Sequence, residues 1–424
     1  MAKSKTIACI DIGTTKIACF IAQVNEDEKL EIIGVGHRLA EGIRAGAITN
    51  LRLAENTIIN AVHQAEKMAG INVDKVFLSI SCGFPMTLST QTTIPINLRV
   101  TSKDIKKVIA LSHKQLTVDN RQILHTIPIS YAIDGEGGIA EPLDMEGSQL
   151  TANIALITCS SVALKNIINC INHCQLEVVD YIISSHAAGL ACLSDDEREL
   201  GTTLIEIGGG VTGISVFKNG KNIFTDSIPI GGSHITSDIA KCLSTSFETA
   251  ERIKALYGAT DLPTAQAQQM IEMPVRQEAS MFMNSDEVPI SRSVLSSIIK
   301  PRAEEILEMV KSKLRQKNIL QEMGGNIVLS GGGSQLEGIK DLCKQIIGKT
   351  TRLAKPVEIT GMAESHINPA FSAVSGAVKY FTEIGNQYKD VDDYLYYNQP
   401  SMGFDIGNPK TAFGAVITWI RKNF

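Results

Sequence analysis

Apolar positions along this chain fall into two matching bursts. Ile7 to Phe20 reads IACIDIGTTKIACF, and Thr202 to Phe217 reads TTLIEIGGGVTGISVF. In each, an apolar run ends on an acidic residue, passes a turn of Gly and Thr or of Gly alone, and resumes as a second apolar run. Such runs, bounded by turn residues, predict buried strands. A third strand is expected after each pair. One is Leu30 to Val35, beyond a turn over Asn25 to Lys29; the other follows Asn219-Gly220, the dipeptide best suited to a two-residue hairpin. Two such meanders, about 195 residues apart, predict a duplicated α/β domain with facing halves.

Helical spacing fills the intervals. Leu51, Ala54, Ile58, Val62, Ala65 and Ala69 share one face of a helix that Gly70 stops, and Val73 to Ser81 reads as a strand. Met86 to about Thr158 holds a helix near Ser102 to Lys114, short strands around Ile123 to Ile133, and a loop over Gly135 to Pro142 without catalytic vocabulary. Ala155 to Cys159, Ser161 to His173 and Leu176 to Ile183 alternate strand, helix and strand, and another helix begins at His186. Glu248 to Tyr257 is helical, and Thr260 to Asp286 is polar and loop-rich. Pro301 is placed to open a helix in which Ala303, Ile306, Leu307, Val310 and Leu314 form one stripe. A strand over Asn326 to Leu329, a Gly-rich turn over Ser330 to Ser334 and a helix over Leu336 to Ile347 follow. The small-residue helix Asn368 to Phe381 ends the globular part.

Composition narrows the class. A chain of 424 residues makes two domains or more, and 20% charged with 44% hydrophobic residues is ordinary for a soluble globule. The net charge of −5, with no basic run or interleaved aromatic patch, argues against nucleic acid as a partner. Nine scattered cysteines suit buried thiols in a reducing compartment. MAKSKT runs straight into a strand without a signal-peptide pattern, and no 18-residue apolar run is present to span a bilayer. His173, between Cys170 and Cys174, lacks the second ligand pair that a metal site needs.

The turns carry the candidate chemistry. Gly13, Thr14 and Thr15 in one copy, and Gly208, Gly209 and Gly210 in the other, let backbone N–H groups approach an anion because little side chain intervenes. Such turns cradle phosphates. Asp11 and Glu206, at the strand ends, cannot bind phosphate themselves, so their expected partner is a divalent cation such as Mg²⁺. Lys16 supplies positive charge for a β or γ phosphate. Gly331, Gly332 and Gly333 can lie flat against an adenine and ribose, and Glu251 and Lys254, one helical turn apart, can reach a ribose together.

DIGTTK at Asp11 to Lys16, EIGGGVTG at Glu206 to Gly213 and LSGGGSQLEGI at Leu329 to Ile339 resemble the phosphate-1, phosphate-2 and adenosine motifs of the actin, hexokinase and heat-shock chaperone superfamily. Within it the chain is similar to the FtsA family of bacterial division proteins. IIGVG at Ile32, IPISYAID at Ile127 to Asp134, DERELGTTLIEIGGG from Asp196 and ITSDIA at Ile235 to Ala240 carry that likeness over about 400 residues. The resemblance implies an actin-like duplicated ATPase fold. Its first core subdomain would take residues 1–84, 161–197 and 361–381, and its second 198–230 and 304–360. An FtsA-type interaction subdomain is inserted at 85–160. A small subdomain at 231–303 would cover the nucleotide, with Gly232 in contact, and include the site for the FtsZ C-terminal peptide. Arg302 falls on the family's binding arginine. As the first turn of a helix disfavours a cation, an anion from outside would account for it.

Residues 382–410 lose periodicity and read as a flexible linker. In Thr411 to Phe424, Phe413, Val416, Ile417, Ile420 and Phe424 share one helical face, with Trp419 at its edge. At about 1.5 Å per residue this helix spans roughly 21 Å, too short to cross a bilayer but able to lie in its interface. FtsA proteins end in such a membrane-targeting helix; with two cations beyond Lys410 the hold of one copy is weak, and self-assembly into filaments would add strength.

The implied function is an ATP-binding, self-polymerising adaptor. It would anchor FtsZ filaments to the cytoplasmic face of the inner membrane at the septum as a peripheral protein, and recruit later division proteins through the insertion. A sugar kinase of the same superfamily is the alternative, but no aspartate base or sugar pocket is legible, and a chaperone lacks its peptide-binding domain. Phosphate-2 departs from the family, with Glu206 for the usual Asp, Val211 for a Thr, and Gly213 where many relatives place a second Asp. The extra methylene moves the carboxylate by roughly 1.5 Å, one C–C bond. ATP turnover is therefore expected to be slow at most.

Overall fold

Both bursts fold as meanders. β1 (Lys5–Ile12) and β2 (Lys16–Val24) pair antiparallel with Asp11 opposite Ala18, and β3 (Leu30–Leu39) joins β2. A small hairpin, β4 (Ile43–Arg44) and β5 (Ala47–Ile48), leads to α1 (Leu51–Ala69). Asn50 caps α1 by accepting from the Leu53 N–H at 3.3 Å, and Gly70 ends it in the left-handed conformation. β6 (Lys75–Ile80) then lies parallel to β1. The computed structural model of the chain describes residues 5–24, 29–115, 119–274, 287–317, 319 and 325–387.

An inserted layer follows: β7 (Met86–Pro95), α2 (Ser102–Gln115), β8 (Arg121–Ile133), β9 (Glu136–Ile139) and β10 (Gln149–Ser160), in sheet order β7-β10-β8-β9. The short strands expected around Ile123 to Ile133 are one bulged strand, and Ala155 to Cys159 is the end of β10 in this sheet. α3 (Ser161–His173) and β11 (Glu177–Ile183) return to the first sheet, completing the order β11-β6-β1-β2-β3. α4 (Ser184–Cys192) and α5 (Asp195–Leu200) lead into the second half.

That half repeats the plan. β12 (Thr202–Ile207), β13 (Thr212–Lys218) and β14 (Lys221–Ile228) form the echo meander. Its hairpin turns at Asn219 and Gly220, with φ of 51° and 71° as a two-residue turn requires. α6 (Gly232–Cys242), α7 (Phe247–Tyr257), α8 (Thr264–Ala267) and the hairpin of β15 (Met270–Pro274) and β16 (Glu287–Ser291) build the outer part. α9 (Arg292–Gln316), β17 (Asn326–Ser330), α10 (Ile339–Ile347), β18 (Thr351–Leu353) and α11 (Ser372–Gln387) complete the described chain. The second sheet runs β14-β13-β12-β17-β18, strand for strand the order of the first.

Two further expectations about element bounds are corrected. Pro301 does not open a helix; α9 begins at Arg292, where Ser291 caps it by accepting from the Val294 N–H, and Pro301 lies inside. Proline costs an interior helix one hydrogen bond and a steric clash. The buried stripe of Leu295, Ile299, Ala303, Ile306, Leu307, Val310 and Leu314 packs on both sides of Pro301 and holds the helix through it. The expected linker over 382–410 also starts too early, since α11 continues to Gln387. Val374, Ala377, Val378 and Phe381 keep that helix in the core, with Phe381 stacked on Phe77 at 4.2 Å. The rest of the expected linker and the expected helix over 411–424 lie outside the described residues. Among the described residues, no helix is long and apolar enough to cross a membrane.

α4 and α11 form the seam between the halves. Ala187 of α4 joins α11 in the core of the first sheet, while Ala188, Ala191 and Cys192 pack on the second. Small residues permit the approach, and a Cβ on Gly376 of α11 would stand 1.7 Å from the Ala187 carbonyl oxygen. Gly376→Ala should therefore lower stability by about 1–3 kcal/mol through overpacking, although alanine is the better helix former by about 1 kcal/mol. Urea unfolding measures the sign; a stabilised variant would mean that the two helices do not touch.

Candidate functional site

The two turns have the same closure. Gly13 N–H donates to the Lys16 carbonyl at 3.0 Å, and Gly208 N–H donates to the Val211 carbonyl at 3.0 Å. They meet face to face across the seam. A Cβ on Gly209 would stand 2.4 Å from Thr15 Cγ2, and one on Gly210 would stand 2.7 Å from Thr14 Oγ1. Only glycine permits this approach, and a triphosphate lying between the turns requires the halves to part.

Beneath the turns, the opposed strand ends bring three ionisable groups together. Asp11 is buried and accepts from Ser79 Oγ at 2.8 Å. Burial raises its pKa, against the opposing effects of Lys16 and Ser79. Glu206 is pushed up to about 8, first by desolvation of its carboxyl and then by the Asp11 charge; Ser184 and Lys16 pull the other way. Lys16 is lowered to about 8 by desolvation, opposed by Asp11 and Glu206. Two carboxyls sharing one ammonium leave a negative excess when all ionise. This oxygen donor set fits a hard divalent cation such as Mg²⁺, which would be held by Asp11 and Glu206.

Lys16 also has partners that its motif does not reveal. Its Nζ donates to the Ala370 carbonyl and lies 3.3 Å from the centre of the Phe371 ring. The segment that holds it, the 3-10 turn Pro369–Phe371, includes Ala370, 354 residues further along the chain, beyond the reach of local pattern.

The adenosine-motif residues stand on the second half's side. Gly331 has φ of 80°, and a Cβ there would lie 2.6 Å from the Ile207 carbonyl. Gly332 faces Ala370, and Gly333 packs on Ile207. A Cβ on Gly232 would be 3.9 Å from Gly333 Cα and 3.7 Å from Lys254 Nζ, so these residues share one wall. Lys254 Nζ donates to Glu251 at 2.7 Å, Thr236 Oγ1 at 2.8 Å and the Gly232 carbonyl at 3.2 Å, which ties α7 to α6.

Arg302 stands apart from this wall. It lies about three turns into α9, which begins at Arg292, rather than in a first turn, so the dipole argument for an outside anion fails. Its Nε and Nη2 contact Asp238 at 2.7 and 3.2 Å, and its Nη1 contacts Glu305. His173 likewise pairs with Glu55 at 2.7 Å. Phe413, Val416, Ile417, Trp419, Ile420 and Phe424, expected to face a membrane, lie outside the described residues.

Two sheets of identical order, joined at a seam where glycine turns oppose each other, define an actin-like ATPase fold. The solved PilM-PilN type IV pilus biogenesis complex is similar over 89% of this chain and 98% of that one, with a TM-score of 0.63 at 15% identity. MreB5 of Spiroplasma citri, solved with AMPPNP, is similar over 92% and 99% with a TM-score of 0.56 at 15% identity. In sequence, residues 203–376 match the family described as cell division protein FtsA, and residues 86–158 match the SHS2 domain inserted in FtsA. The cell division protein FtsA of Agrobacterium fabrum is 34% identical over 100% of this chain and 96% of its own length, and that of Pseudomonas aeruginosa is 32% identical over 89% of each. The chain belongs to the FtsA family of cell division proteins.

The carboxyl pair sets a pH dependence. A folded-state pKa of about 8 for Glu206, against an ordinary 4.5, means that the folded chain retains a proton which the unfolded chain releases between those values. The stability this group contributes is complete below 4.5 and is lost as pH rises through 8; Asp11 acts in the same direction. Lys16 acts oppositely and only between about 8 and 10.5. Glu206→Gln, which stays neutral, should therefore lose less stability than the wild type between about pH 5 and about pH 8 in urea melts. Equal slopes would mean that the carboxyl is not held neutral.

Proposed function

We propose that the chain binds ATP and Mg²⁺ between its halves and, in that state, assembles head to tail into filaments that tether FtsZ to the cytoplasmic face of the cell membrane at the septum. The observation that carries this reading is the opposition of Thr14 and Thr15 to Gly209 and Gly210 directly above Asp11, Lys16 and Glu206. Gly13, Thr14, Thr15 and Lys16 hold the phosphates from the first half, and Gly208, Gly209 and Gly210 from the second. Gly331 to Gly333, Gly232, Glu251 and Lys254 receive the adenosine. Mg²⁺ would supply charge neutralisation to the phosphates, and Asp11 and Glu206 would hold it as carboxylates. Lys16 must leave the Ala370 carbonyl and the Phe371 ring to reach a phosphate, so nucleotide entry also loosens the turn at Pro369–Phe371.

Within this reading, residues 85–160 form the module that recruits later division proteins and 231–303 cover the nucleotide. Arg302 receives the acidic FtsZ C-terminal peptide. Its Glu305 partner is the more exposed one, and an incoming carboxylate displaces it while Asp238 keeps the guanidinium oriented. The helix over 411–424 lies in the membrane interface and gains its hold from many linked copies.

Nucleotide binding is tested by titrating a fluorescent ATP analogue. Lys16→Ala and Gly209→Asp should each weaken it at least about tenfold, through lost charge and a blocked turn; retained affinity in either sinks the assignment. Anchoring is tested by sedimentation with anionic vesicles and FtsZ. The full chain should carry FtsZ down, a chain ending at Lys410 should carry down neither itself nor FtsZ, and Arg302→Glu should reach the vesicles without FtsZ. A kinase would be indifferent to all three.

A further inference from the structure

The hairpin β4–β5, which follows the first meander, has no counterpart between β14 and α6 among the described residues and no role in the reading above. Its base is anchored, since Ile43 is buried in the core of the first sheet. Its tip is conformationally committed. Ala45 and Gly46 have φ of 47° and 72°, and a non-glycine residue is uncommon in that region. The tip reaches the seam itself: Gly46 N–H donates to Thr14 Oγ1 at 3.0 Å, and Ala45 Cα lies 3.0 Å from where a Cβ on Gly210 would stand. Gly46 also backs onto Ser81 and Cys82, at the end of β6.

Contacts along the seam give it a direction. Gly333 lies beside Gly232, whose N–H donates to the Gly208 carbonyl at 2.8 Å. Ser233 N–H donates to the Gly209 carbonyl at 2.8 Å, and Gly210 then meets Ala45. A nucleotide with its adenosine on the glycines at 331–333 therefore runs its phosphates toward the hairpin. Arg44 stands at that end. It is exposed, pairs with Ala47 across the hairpin on the side opposite Ile43 and Ile48, and has no hydrogen-bond or ion-pair partner among the described residues.

We propose that this hairpin forms the terminal-phosphate end of the site and that Arg44 is the residue by which it distinguishes a nucleoside triphosphate from a diphosphate. The inference rests on the ATP reading given above. A planar guanidinium matches a terminal phosphate bidentately, and an unpaired arginine gives up no existing ion pair to do so. A diphosphate, one phosphoryl group shorter, ends before the hairpin and leaves Arg44 in solvent.

The test is titration of the full chain with MgATP and MgADP, for the wild type, Arg44→Ala and Arg44→Lys. Arg44→Ala should weaken MgATP about tenfold and leave MgADP within about twofold, with Arg44→Lys between. An exposed, unpaired side chain leaves the thermal midpoint unmoved, so misfolding does not imitate this result. An equal loss for both nucleotides, or no loss for either, overturns the assignment of Arg44 while the ATP reading stands. A wild-type chain that takes up neither nucleotide overturns both.

Discussion

The close contact of two backbone turns is the constraint on which the rest of this architecture depends. Gly209 and Gly210 abut Thr15 and Thr14 at distances that no Cβ would permit, and this draws the ends of β1 and β12 together. The acidic residues at those ends, and the lysine that begins β2, are thereby forced into one desolvated space. None of the three ionises at its ordinary pH. The same contact thus decides the shape of the seam and the chemistry beneath it, and a cation or an anion entering there must alter the protonation of all three groups together.

The inserted layer is part of this seam rather than an appendage. Thr87 at the start of β7 accepts from the Thr225 N–H at 2.7 Å and donates to the Thr225 carbonyl at 2.9 Å, so that β7 meets β14 of the second half. Ser227 donates to the Pro85 carbonyl and Lys221 to the Pro128 carbonyl, each at 3.0 Å. On the core side, His125 of β8 packs edge-on against His186 of α4, with Tyr380 of α11 beside both rings. The insertion therefore straps the first half to the second while resting on the helices between them. Hydrogen bonds at its base, those of Thr87 and Ser227 among them buried, thus span the two halves.

How much of this was legible follows from the range of the forces involved. The two meanders, the Asn219-Gly220 turn and the Gly70 stop are local, and apolar runs with turn residues announce them. The glycines at 208–210 were legible as turn residues, and their reason, a second turn pressing from the other half, agrees with the duplicated pattern. Pro301 misleads because a local rule is overridden by a long buried stripe on α9. The hairpin of β4 and β5 is too short for any periodicity to register. The Ala370 and Phe371 partners of Lys16 and the Asp238 partner of Arg302 are contacts between distant parts of the chain, and composition carries no trace of them.

Duplication with divergence accounts for the division of labour across the seam. Lys16 occupies the position that Val211 holds in the second copy, and Thr14 and Thr15 occupy those of Gly209 and Gly210. The first half therefore contributes hydroxyls and a charge, the second bare backbone. Their acids are held differently too. Asp11 takes its hydrogen bond from Ser79, its neighbour on β6, whereas Ser330, the matching neighbour of Glu206 on β17, donates to Ser372 of α11. Glu206 relies instead on Ser184, at the start of α4 in the seam. The second carboxyl is consequently oriented by the element that joins the halves, while the hydrogen bond that orients the first lies within one sheet.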